Sequence, residues 1–153
     1  MASTNLSARS GTPVENEISF GRIWQGGVLA IVGAVLANLL VRALVVGLMD
    51  VPAAFPPFQM GAISFLTFMG VAAGVAVFAV ISRVSRRPLR TFQIVAVVAL
   101  VISIIPNIAL ALNPGASPVP GGTPTAFLVL ILFHVVAGVV ALGVLTGYTR
   151  ARR

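Results

Sequence analysis

Four long apolar runs dominate the chain: Ile23 to Met49, Met60 to Ser82, Phe92 to Leu112 and Ala126 to Tyr148. Each can cross roughly 30 Å of hydrocarbon as a helix rising about 1.5 Å per residue, and the first, the longest, must tilt or extend past the interface. Strands of a membrane barrel would be about ten residues long with alternating polarity, whereas these runs are continuously apolar and nearly twice that length. The fold class that follows is all-α, an integral membrane bundle of four transmembrane helices over about residues 21–149. Composition agrees: 58% of the 153 residues are hydrophobic, 8% are charged and the mean hydropathy is +1.07, outside the usual range of a soluble domain.

Between the runs the chain alternates in character. Asp50 to Gln59 and Asn113 to Thr125 are rich in proline and glycine and carry no positive charge, so they read as turns. The middle connection instead holds Arg83, Arg86, Arg87 and Arg90, the C-terminal tail (150–153) holds Arg150, Arg152 and Arg153, and the N-terminal side adds Arg9 and Arg22. Nine of the ten basic residues therefore share one side, which the positive-inside rule makes cytoplasmic. Both termini are then expected inside, in a bacterial inner membrane. The net charge of +7 reads as membrane flanks and not as a nucleic-acid surface. Trp24, with Phe20 nearby, and Tyr148 stand where interfacial aromatic anchors belong.

Residues 1–20 are expected to form a flexible cytoplasmic tail, rich in Ser, Thr, Asn and Gly, in which the Asn5-Leu6-Ser7 sequon carries no weight. The first apolar run is too long for a signal-peptide core and is read as a retained anchor. No internal repeat is evident. Both helical hairpins point the same way, so an inverted-repeat transporter is not suggested.

Helices in lipid pack through small residues that let backbones approach. Gly70 with Gly74 and Gly143 with Gly147 make GxxxG pairs, Gly33 with Ala37 makes a weaker one, and Gly138 lies in a stripe with His134 and Ala141. Contacts inside one bundle are the simpler expectation for these, with a dimer interface as the alternative.

The residues most costly in hydrocarbon are Arg42, Asn38, Asn107 and His134. Counted from the outer ends of their helices, Arg42 lies about 10 Å deep, Asn107 about 8 Å, His134 about 12 Å and Asn38 about 16 Å. Ser64 and Thr67 fall at about 6 and 10 Å, so every helix places a polar group in the outer half. Ala30, Ala34, Asn38 and Arg42 recur every four residues, a stripe of small residues leading to a polar pair. Pro106 cannot donate to the Ile102 carbonyl and is expected to kink the third helix, with Ser103 and Asn107 helping to satisfy the loosened backbone. Each polar residue also has a structural reading. Arg42 can snorkel outward to meet Asp50, two turns along, and His134 can serve as a neutral interhelical hydrogen-bonding group. The functional reading is a layer of Asn38, Arg42, Ser64, Thr67, Asn107 and His134 that binds an anion, a quinone-like headgroup or a lipid group.

Several chemistries are excluded or disfavoured. The chain has no cysteine, which removes disulfides, thiolate metal sites and cysteine nucleophiles. A single histidine cannot hold haem b by two axial ligands within one chain, although a dimer-bridging haem or a pigment on one His remains open. Glu15, Glu17 and Asp50 are the only acids and none lies deep in a span, which argues against a proton relay and against a catalytic triad. No metal, cofactor or nucleic acid is expected; the bilayer is the partner, with other membrane subunits or a second copy as further possibilities.

Trp24 and Gly27 opening the first span, Asn38 within it, the turn Arg86 to Pro88, Ser103 with Pro106 in the third span and His134 in the fourth together form a pattern. It resembles an uncharacterised family of small bacterial membrane proteins of four predicted helices, a domain of unknown function, over about residues 20 to 150. The resemblance implies the same topology and no reaction, cofactor or partner. The expected role is a non-enzymatic structural protein or accessory subunit of a membrane complex. The alternative is a small transporter or ligand-binding protein whose site is the outer polar layer.

Overall fold

The computed structural model describes residues 19–49 and 51–150, the side chain of Arg150 excepted. The expected N-terminal tail, the basic side chains of the C-terminal tail and the pairing of Arg42 with Asp50 therefore lie outside the described residues. Four helices follow in order: α1 (Phe20–Leu48), α2 (Met60–Val84), α3 (Pro88–Leu112) and α4 (Pro124–Arg150). Single 3-10 turns, Pro56–Phe58 and Pro114–Ala116, sit in the first and third connections. All four helices are long and apolar enough to cross a membrane.

Local chemistry sets the helix ends. α3 starts at Pro88, four residues before the apolar run, because proline at the first helical position loses no hydrogen bond and arrives with a helical φ. The turn before it is stitched by Ser85, whose Oγ lies 2.9 Å from Thr91 Oγ1 and accepts from the Arg87 N–H at 3.2 Å. α4 likewise opens on a proline, and Thr123 Oγ1 caps it by accepting from the Ala126 N–H at 3.1 Å. The preceding turn contains Gly121 at φ +81°, a left-handed conformation that glycine adopts without penalty. α3 runs unbroken through Pro106. Around it Ser103 Oγ donates to Leu100 O at 2.7 Å, and Asn107 Nδ2 to Ser103 O at 3.2 Å.

The helices alternate in direction, so one end of the bundle carries the proline-rich connections and the other the arginine-bearing turn. Each end has its own apolar cluster. At the proline end Val45 of α1 and Ile63 of α2 meet Phe127 and Phe133 of α4 around the loop residues Phe55 and Phe58. The rings stack edge to face, Phe55 on Phe58 at 5.3 Å, Phe55 on Phe127 at 5.8 Å and Phe58 on Phe133 at 5.9 Å. At the arginine end Ile23, Ala30 and Ala34 of α1 pack with Val71 and Phe78 of α2, Phe92 of α3 and Leu145 of α4. Tyr148 there donates its hydroxyl to Gln25 Oε1 at 2.9 Å, and the Arg83 guanidinium carbon lies 5.9 Å over the Phe20 ring.

Outside these clusters the surface is apolar. Phe92 is the sole buried residue of α3, whose Ile94, Val98, Val101 and Ile105 are exposed. Trp24 is also exposed near the start of α1. Water would not tolerate so continuous an apolar surface, but hydrocarbon does.

Candidate functional site

The helices do not close on one another equally. α1 packs extensively against α2 and α4, and α3 against α4, whereas α2 and α3 touch much less. A cleft of about 460 Å³ occupies the gap, within the usual range of ligand pockets. It is lined by α2, α3 and α4, with Asn38 of α1 and Pro57 of the first connection. Its exposed lining residues sit in the middle of helices, Leu66, Gly70, Ala73 and Val77 on α2 with Val95 and Ala99 on α3, so the cleft opens sideways, between the helices and away from both ends of the bundle.

Missing side chains create this space. A Cβ built on Gly70 or Gly74 would meet no atom within 4 Å, so neither glycine carries a helix contact. This corrects the expectation that the first GxxxG pair packs inside the bundle. Gly143 and Gly147 are also open, on an exposed part of α4. The close approaches lie elsewhere. A Cβ on Gly27 would come within 2.7 Å of Val75 Cγ1, one on Gly33 within 3.3 Å of Val140, and one on Gly138 within 3.3 Å of Leu100.

Four polar side chains line the cleft: Asn38, Thr67, Ser103 and His134. Asn38 follows Ala30 and Ala34 along the buried stripe of α1 and is 2% exposed. Its Nδ2 donates to Thr67 Oγ1 at 2.9 Å, joining α1 to α2. Its Oδ1 is the one fully buried polar side-chain atom without a partner among the described residues. Turning the amide over would let Thr67 donate to the oxygen but would strand the nitrogen instead. Ser103 has given its proton to Leu100 O. His134 Nδ1 lies 2.7 Å from Leu130 O; a carbonyl only accepts, so Nδ1 carries the proton. That bond stays within α4, and so differs from the interhelical role expected of the ring.

Three of the six residues of the expected polar layer, Asn38, Thr67 and His134, thus line one cavity, and three do not. Arg42 is half-buried and its Nε donates to Phe58 O, tying α1 to the 3-10 turn at the proline end. That contact takes the side chain off the cleft and toward the proline end, the direction of the outward reading, and gives Arg42 a role in holding the loop. Asn107 serves the backbone beside Pro106, and half-buried Ser64 lies away from the cleft. Ser103, considered at first only for the proline turn, joins the cleft. Phe92, Ala96, Ala99 and Ser103 recur at three- and four-residue spacing, a stripe that could have revealed it.

The chain belongs to the family of unknown function DUF6069, whose pattern it matches over residues 18–151. The resemblance to an uncharacterised four-helix family drawn from Trp24, Asn38, Pro106 and His134 is upheld by this match. No curated protein and no solved structure matches the chain.

Proposed function

We propose that this member of a family without an assigned activity is a non-enzymatic membrane protein. It takes a hydrophobic molecule from the bilayer into the cleft between α2 and α3, as a ligand-binding protein or small transporter. One observation carries the reading: an apolar cavity of about 460 Å³, open sideways at mid-helix, lined by one polar group from each of the four helices. A binding role suits the site better than catalysis, because its described lining contains no carboxylate to pair with His134 and no nucleophile set beside that ring as an acceptor of its proton. Arg22, Arg83, Arg86, Arg87 and Arg90 at one end favour a cytoplasmic placement of that end and of both termini, in a bacterial inner membrane. By the residue count the polar lining then runs from about 10 Å at Thr67 to about 16 Å at Asn38, on the outer side of the midplane and reaching it.

A structural or accessory role is the second reading. It draws on Gly143 and Gly147, which leave an unpacked small-residue face on α4 where another helix can approach.

The test is native mass spectrometry of the full chain in mild detergent with farnesol as an apolar probe. Wild type and Gly143→Leu are expected to retain a one-to-one adduct. Gly74→Leu adds a side chain to the cleft at a position where its Cβ meets no neighbour and should weaken retention by about tenfold or more. Equal retention by Gly74→Leu and wild type would remove the cleft from consideration.

A further inference from the structure

We infer that the molecule held in this cleft carries a hydroxyl group, and that His134 Nε2 recognises it by accepting its proton in a hydrogen bond. The inference rests on the cleft being a binding site and names the chemistry of its occupant. Fixing the Nδ1 proton on Leu130 O turns that edge of the imidazole to its own helix and leaves Nε2 on the opposite edge of a ring that lines the cleft. In the uncharged ring Nε2 is an acceptor only. Among the described residues it makes no hydrogen bond, and it is not sealed off, since Asn38 Oδ1 alone is both buried and unpartnered.

The other polar groups offer little competition for that lone pair. The Ser103 proton is committed to Leu100 O, one Asn38 Nδ2 proton goes to Thr67, and no side chain among the described residues donates to Nε2. An acceptor facing hydrocarbon without water gains most from a ligand that brings a donor, and an ester, ketone or ether brings none. Thr67 keeps a rotatable proton, so a hydroxyl, which donates and accepts, suits the lining better than a purely donating ammonium. The remaining lining is aliphatic and aromatic and fits a long apolar body. The occupant is therefore an apolar alcohol or phenol, either a free isoprenoid-like molecule or a hydroxyl-bearing glyceride.

Farnesol, farnesyl methyl ether and dioleoylglycerol, each titrated into the full chain and read by native mass spectrometry, separate the possibilities. The ether keeps the apolar body and any bond from Thr67 and loses only the donor. Wild type is expected to retain farnesol about tenfold more strongly than the ether. His134→Phe should abolish that preference, and His134→Gln, which retains an acceptor, should restore part of it. Retention of dioleoylglycerol with the same dependence on His134 would place the hydroxyl on a lipid; its absence beside retained farnesol would place it on a free alcohol. Equal retention of alcohol and ether by wild type overturns the inference and leaves the cleft reading standing. Retention of none of the three overturns both.

Discussion

The seam between α1 and its neighbours and the seam between α2 and α3 are built from the same kinds of residue and behave in opposite ways. At the first, glycine lets backbones close: a Cβ on Gly27 would lie 2.7 Å from Val75 Cγ1, and one on Gly26 3.4 Å from the Tyr148 ring. At the second, Gly70 and Gly74 face open space. Burying apolar area gains little against lipid, which is as apolar as the side chains, so a helix contact there depends on close fit and hydrogen bonds. The difference teaches that small residues in this bundle make contact only where a matching surface opposes them; without one they make room.

Substitutions can break that contrast. Gly27→Leu should be the most damaging, because Val75 is stiff at χ1 and its two methyl groups cannot both swing clear, and a loss of roughly 3 kcal/mol is expected. Thermal unfolding in mixed micelles checks it, and an unchanged midpoint would mean that the seam yields. Thr67→Val keeps shape but leaves the Asn38 amide wholly unpaired at 2% exposure, which should cost about 1 kcal/mol. A double-mutant cycle with Asn38→Leu should recover most of that loss; additive effects would show that the bond couples nothing. Gly74→Leu should change stability by less than about 0.5 kcal/mol, since it enters empty volume. A large destabilisation by that variant would show that the cleft closes in the membrane.

The four long helices were legible because hydrocarbon thickness and helical rise leave few ways to place apolar runs of this length. Counting residues along each run also brought together Asn38, Thr67 and His134, which do share a cavity. Rotation about the helix axis was not. Arg42, Ser64 and Asn107 have suitable depths but lie off the cleft, because a count of residues fixes height and leaves the facing direction to the partner helices. GxxxG pairs failed to mark contacts in the same way, since a glycine records what it permits and not what stands opposite. The ring cluster around Phe55 and Phe58 was also hidden, because the prolines beside them read only as a turn.

That aromatic cluster constrains traffic. Phe55, Phe58, Phe127 and Phe133 fill the proline end of the bundle, next to Pro57 and Ile63 at the upper edge of the cavity, while Phe78, Phe92 and Leu145 fill the other. With both ends plugged by side chains, the proposed binding role requires that a guest enter from among the acyl chains and leave by the same door. Occupancy then follows the mole fraction of the guest in the surrounding lipid, and its concentration in water matters only through how strongly it partitions.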